Sequence, residues 1–207
     1  MKKFSAVLLT SGGMDSTVLA YYLLEQEIQF VPLFLDYGQH CAQTEFKTLN
    51  NLLPKKAISS LDTIDISRIY NNSTSRLIKK TDLWNEKITS DDMYLPYRNL
   101  LFLSIAVAYA QSRDINNVYA AFINSNHAKE IDCSMEFFKR LESIFVDYGS
   151  VEIKIPFKDL SKTDVAKLGI KLGVPIGKTY SCQINQENPC GACPNCVDKI
   201  EAINNLF

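Results

Sequence analysis

The chain has 207 residues, 46% of them hydrophobic and 22% charged, with 22 lysines and arginines against 23 aspartates and glutamates. Such a balance describes a soluble globular chain of one domain or one domain with a small appendage, and excludes disorder, collagen and coiled coil. A net charge of −1 offers polyanions no general attraction, so tRNA is not an expected partner.

Met1-Lys2-Lys3 runs straight into an apolar stretch without the small-residue cleavage site of a signal peptide, and a cytoplasmic protein is expected. Phe4 to Leu9 is continuously apolar, as a central strand of a parallel sheet would be. The turn TSGGMDS follows, then a helical pattern from Thr17 to Leu24. Ile28 to Leu35 reads as a second strand, placed near an edge or at a bulge because Pro32 lacks a ladder donor. Ala42 to Leu53 reads as a helix stopped by Pro54, and Ala57 to Ile66 contains a third strand. From Ser67 to Met93 no period is sustained, although the single tryptophan, Trp84, lies there; a flap or lid is expected. A helix from Asn99 to Ser112 contains the longest apolar stretch, Leu100 to Ala110, far short of the roughly 20 residues that span a bilayer. Asn117 to Phe122 is a strand, Ser134 to Tyr148 a helix and Val151 to Ile155 a strand. Ser161 can cap a helix that runs to about Leu172 and closes at Gly173 and Pro175, and a short helix from Val197 to Leu206 ends the chain. Strands alternating with helices give an α/β class with a mainly parallel sheet covered on both faces, whose ligands sit at the carboxyl ends of strands.

Two motifs carry chemistry. In Thr10-Ser11-Gly12-Gly13-Met14-Asp15-Ser16-Thr17 the glycines permit close backbone approach, and the helix start offers free N–H groups and a positive dipole end to an anion. Asp15 would repel a bare phosphate, so it implies either magnesium (Mg2+) or a hydrogen-bonding role inside the loop. The loop lacks the Walker lysine and does not fit the dinucleotide fingerprint. The second motif is Cys182, Cys190, Cys193 and Cys196, with two C-x2-C spacings and turn residues Pro189, Gly191 and Pro194 between them. In a reducing compartment this pattern points to a closed, structural zinc (Zn2+) site, with an iron–sulfur cluster as the alternative.

SGGMDS between strand and helix resembles the PP-loop of ATP pyrophosphatases, which adenylate a carbonyl-type oxygen and release pyrophosphate. Together with the terminal cysteines, the chain resembles the 7-cyano-7-deazaguanine synthase (QueC-like) family of queuosine biosynthesis. The pieces are VLLTSGGMDST, LDYGQ, LPYRNLLFLS, DCSMEF, LSKTDVAKLGIKLGV and TYSC, in order over nearly the whole chain. The resemblance implies an adenine nucleotide alpha hydrolase-like domain over 1–180, a zinc subdomain over 181–207 and a homodimer. It implies an enzyme that uses ATP and ammonia to turn a 7-deazaguanine carboxylate into an amide and then a nitrile. Asp15, Arg98 and Lys162 are then the catalytic candidates, Arg98 and Lys162 on ATP phosphates, with Asn99 supporting loop or ribose and Asp36 and Tyr37 at adenine or ribose. Gln39, His127, Lys129 and Asp132 fall to the small substrate, Asp132 as a reader of the guanine edge.

The chain departs from the family where that substrate would bind. The family segment reads approximately DYSGYPDCR, but here Asn126 to Ser134 is NHAKEIDCS, and the family's QRH is Gln39-His40-Cys41. If an arginine at the position of Ser134 holds the substrate carboxylate elsewhere in the family, Lys129 and His127 are the nearest replacements. The asymmetry motivates a second reading, a QueC-like ligase that delivers the acid to another amine, such as one on a protein in antiviral defence. A tRNA-thiolating enzyme is disfavoured by the charge and by the cysteines committed to metal.

Overall fold

The computed structural model describes residues 4–80, 89, 91–123, 132–184 and 188–206. Its strands are β1 (Ala6–Thr10), β2 (Phe30–Asp36), β3 (Asp62–Asp65), β4 (Asn117–Tyr119) and β5 (Glu152–Lys154). They form one parallel sheet in the order β3-β2-β1-β4-β5. The helices are α1 (Met14–Glu25), α2 (Ala42–Leu52), α3 (Lys55–Ile58), α4 (Arg98–Gln111), α5 (Met135–Phe145), α6 (Lys162–Lys171) and α7 (Pro194–Asn204).

Alternation along β1 and β2 feeds two cores. Ala6, Leu8, Phe30 and Phe34 face a layer with Val18, Leu19 and Leu23 of α1, Leu49 of α2, Val165 of α6 and Ala202 of α7. Val7, Val31, Leu33 and Leu35 face the opposite layer, with Leu103 and Ala106 of α4 and Phe138 and Leu141 of α5. Both faces are therefore covered, as the continuous apolar runs require. Each fully buried leucine contributes about 1.5–3 kcal/mol of transfer free energy, so the two layers clamp the sheet whose carboxyl edge carries the site.

Pro32 lies near the edge of the sheet as expected: β2 is one strand in from the edge strand β3. Pro32 pairs in register with Leu8, but the β3 ladder begins only at Leu33, so the missing donor falls where the strand has a single neighbour. The one-turn helix α3 after Pro54 carries too few residues for a periodicity to register. α7 starts at Pro194, earlier than the pattern indicated, with proline in the first turn where its absent N–H costs nothing. α6 has the expected cap: Ser161 Oγ accepts from Asp164 N at 3.1 Å while Ser161 N donates to Asp164 Oδ2 at 3.0 Å.

The described part of the 67–93 segment docks beside β2. Tyr70, Leu77 and Met93 are buried in a small cluster with Tyr37 and Leu95, and His40 N donates to Leu77 O at 3.0 Å. Trp84 lies outside the described residues.

Candidate functional site

The loop between β1 and α1 is held open by short-range bonds. Ser16 Oγ accepts from Ser11 N at 3.3 Å, Thr17 Oγ1 donates to Gly13 O at 2.7 Å, and Gly13 N donates to Ser11 Oγ at 3.3 Å. Gly12 has φ 75°, and a Cβ there would lie 2.6 Å from Glu45 O, so only glycine lets the loop sit against α2. Gly13 is the N-cap of α1 and supplies no side-chain cap, leaving the first amides of the helix for an anion.

A cavity of about 310 Å³ opens over this loop at the carboxyl ends of β1, β2 and β4. Here the sheet order reverses, since β2 and β4 lie on opposite sides of β1, which is where open α/β sheets bind ligands. Arg98, at the start of α4, and Lys162, at the start of α6, line the cavity from two sides. Lys162 Nζ donates to Asp15 Oδ2 at 2.5 Å across 147 residues of sequence, with both side chains about three-quarters buried. Asp15 Oδ1 is buried and has no hydrogen-bond partner among the described residues. A carboxylate oxygen left over in this way fits a divalent cation, while Lys162 already holds the other oxygen. The hydrogen bond of Asp15 thus goes to Lys162 rather than within the loop.

The β2–α2 wall is made of side chains. Gln39 Oε1 accepts from Tyr37 N at 2.9 Å, and Gln39 Nε2 donates to Glu45 Oε2 at 3.0 Å. Glu45 is half-buried and lines the cavity, its carboxylate beside the Gln39 amide, which lines it too. Desolvation pushes its pKa up to about 7, partly offset by the Gln39 hydrogen bond and the Arg98 charge. Burial likewise raises the Tyr37 phenol well above its ordinary range, with Arg98 pulling the other way. Sequence reasoning missed Glu45; its first-turn position on an amphipathic helix reads as solvent-facing, and only the fold brings it against Gly12 and Gln39.

The third component is the cysteine cluster. The Sγ atoms of Cys182, Cys190, Cys193 and Cys196 lie within 4.8 Å of one another, and the Cys190–Cys196 pair is 3.9 Å apart. Four thiolates around one zinc stand about 3.8 Å apart at a Zn–S distance of about 2.3 Å, so the constellation fits a tetrahedral ion. Cys193 N and Ala192 N donate to Cys190 Sγ at 3.2 and 3.4 Å, the turn that aims paired sulfurs inward. Thiols of Cys193 and Cys196 donate toward Cys182, which holds Cys182 far below the usual thiol range and raises the two donors above it. None of the six cysteines is in a disulfide.

This cluster reaches the cavity through Tyr180, Ser181 and Asn195, which line it. Tyr180 N donates to Gly12 O at 3.1 Å and Tyr180 Oη to Cys41 Sγ at 3.5 Å, so one residue braces both walls. Lys199 of α7 donates to Thr179 O at 2.5 Å, and burial, reinforced by the charge of Lys162, lowers its pKa.

Of the residues singled out in the sequence, Thr10, Ser11, Gly13, Met14, Asp15, Ser16, Tyr37, Gln39, Arg98, Asn99 and Lys162 line the one cavity. Met14 is also a fully buried member of the core. Gly12 and Thr17 shape the loop from behind. Asp36 sits apart from the lining and accepts from Gly38 N at 2.9 Å, capping the turn after β2. Asp132 stands at the start of α4, where its Oδ2 accepts from Asn99 N at 3.3 Å and its carbonyl from Asn99 Nδ2 at 3.2 Å. Ser134, where the family pattern has arginine, is the N-cap of α5 and accepts from Phe137 N at 3.1 Å. His127 and Lys129 lie outside the described residues. No described helix is long and apolar enough to cross a membrane.

A family profile described as queuosine biosynthesis protein QueC matches residues 5–206. The chain is 34% identical over 211 residues to a 7-cyano-7-deazaguanine synthase of Caldicellulosiruptor saccharolyticus, covering 97% of this chain and 91% of that one. It is 32% identical over 202 residues to the synthase of Campylobacter hominis, covering 92% and 90%, and 32% identical over 204 residues to that of Archaeoglobus fulgidus, covering 95% and 84%.

Proposed function

Because this chain belongs to the QueC family, we propose that it is a 7-cyano-7-deazaguanine synthase: an ATP-dependent carbon–nitrogen ligase that adenylates a 7-deazaguanine carboxylate and replaces the activated oxygen with nitrogen from ammonia. The observation that carries the reading is the convergence on one cavity of an uncapped helix start, the open Ser11–Ser16 loop and the cations Arg98 and Lys162. The substrate carboxylate attacks the α-phosphorus of ATP, and charge builds on the departing pyrophosphate as the bond breaks. Backbone N–H groups of the loop and the two cations are the donors placed to stabilise that charge. Asn99, anchored by Asp132, fixes the start of α4 and with it Arg98. Magnesium, held at Asp15, would neutralise phosphate charge; zinc, held by the four cysteines, would supply fixed geometry rather than chemistry. In the second activation the amide oxygen takes the place of the carboxylate and leaves with AMP, giving the nitrile.

We also place the aromatic and β2-side residues, Tyr37 and Gln39 among them, at the nucleobase and small substrate, and treat 1–180 as the nucleotide domain and 181–207 as its metal-bound brace, in a cytoplasmic homodimer. The changed Asn126–Ser134 segment favours one second reading, transfer of the same acyl adenylate to a different amine. Mass spectrometry of products from the purified protein with ATP and 7-carboxy-7-deazaguanine separates the two. Ammonia-dependent nitrile is the expected result; an adenylate that accumulates with ammonia present and yields no amide would favour the other acceptor.

A further inference from the structure

We propose that Glu45 is the proton acceptor for the incoming nitrogen, binding it at the cavity wall and taking up protons as it is joined to the activated carbon. The inference rests on the adenylating reading above and adds the group that reading lacks. In neutral water ammonia is stored as ammonium, which has no lone pair with which to attack. One proton must leave before the C–N bond forms and the C–O bond to AMP breaks, the electron pair of that bond departing with AMP. A second proton leaves the nitrogen to give the neutral amide. After the amide oxygen has been adenylated, the last two N–H protons leave as the C–O bond breaks and the C≡N bond is completed. Nitrogen thus sheds four protons from ammonium to nitrile, and Glu45 passes each to solvent before accepting the next.

The cavity offers few groups able to receive them. Lys162 and Arg98 are cations, and Asp15 is already paired with Lys162. Glu45 is the other carboxylate among the described residues that line the cavity. Its orientation is fixed, because Gln39 accepts the Tyr37 amide through Oε1 and so must present its NH2 group to Glu45 Oε2. That bond leaves Glu45 Oε1 as the acceptor, without a protein partner among the described residues. A carboxylate with one oxygen engaged suits a small donor such as ammonium better than a guanine edge, which needs both oxygens. The charged and titratable groups facing Glu45 are Arg98 from α4, Asp36 and Tyr37 from the end of β2, and Cys41 before α2. Desolvation outweighs Arg98, and a carboxyl near 7 can both take and release a proton at neutral pH.

The test compares wild type, E45Q and E45D with ATP, the deazaguanine acid, and either ammonium or hydroxylamine, the latter a neutral nucleophile at pH 7. E45Q retains an acceptor for Gln39 and should fold. The expected result is acid-dependent pyrophosphate–ATP exchange near the wild-type rate, with amide formation from ammonium lowered about 100-fold or more and hydroxamate formation, which has one proton fewer to shed, lowered far less. Raising the pH should recover part of the ammonium rate in E45Q, and E45D should retain more of it at pH 7. Ammonium use by E45Q at the wild-type rate, or equal losses with ammonium and hydroxylamine, would overturn the proposal. Absence of acid-dependent exchange in the wild type would instead overturn the adenylating reading.

Discussion

The two walls of the cavity are built by different means. On the β1–α1 side the surface is backbone, shaped by bonds that join residues no more than five apart, from Ser11 to Ser16 and from Gly13 to Thr17. On the β2–α2 side it is side chains, Tyr37, Gln39 and Glu45, whose positions depend on how a helix lies against a loop thirty residues away in sequence. A backbone site offers an anion groups that every residue possesses, which suits it to the phosphate role proposed above. A side-chain site can titrate, which suits the second wall to the proposed proton chemistry.

Four perturbations separate the walls, in descending order of effect. Removing the metal, or replacing Cys193 with serine, should disable both at once, because Tyr180 bonds to Gly12 on one side and to Cys41 on the other. Structural zinc supplies about 10–16 kcal/mol in small zinc domains, so thermal unfolding should lose its terminal segment with chelator and regain it when zinc is restored. A melting curve indifferent to chelator and zinc would detach the cysteines from the site. Lys162→Ala should strike the β1–α1 wall, lowering kcat/KM about 10²- to 10³-fold, and should also lower stability because Asp15 is left without its partner, a loss that Lys162→Ala with Asp15→Asn should relieve without restoring activity. Gly12→Ala presses the walls together: left-handed strain and the overlap with Glu45 O should cost about 2–4 kcal/mol, read from denaturant midpoints.

The smallest effect concerns pH. A carboxyl whose pKa rises from 4.5 to about 7 on folding binds more protons folded than unfolded between those values. Its contribution to stability is therefore full below pH 4.5 and is lost as pH rises through 7. Glu45→Gln should remove that slope, so the variant's melting temperature relative to wild type should be higher at pH 8 than at pH 5. A difference independent of pH would place Glu45 in a solvated setting, and the opposite trend would make Arg98 the stronger influence on it.

The same division decides what the sequence revealed. The loop, its helix and the cysteine spacing were legible because their geometry is local: two glycines, a run of hydroxyls and paired C-x2-C turns determine their own conformation. Arg98 and Lys162 were singled out because each lies in a block resembling the family, at the start of an element. Glu45 could not, since nothing in AQTEFKTL distinguishes a cavity carboxylate from an exposed one until α2 is set against Gly12. The way β2 accommodates Pro32 was hidden for the same reason: it depends on where the β3 ladder starts, a tertiary fact. Asp36 and Ser134 carry caps that the sequence pattern did not signal, Asp36 on the turn after β2 and Ser134 at the start of α5.

The central claim is that oxygen leaves the substrate on AMP. Turnover of deazaguanine acid labelled with oxygen-18 in its carboxylate tests it directly, by mass spectrometry of the nucleotide products. Two successive adenylations predict one label in each AMP released, none in pyrophosphate and an unlabelled nitrile. Label appearing in inorganic phosphate beside ADP, or unlabelled AMP, would contradict the account.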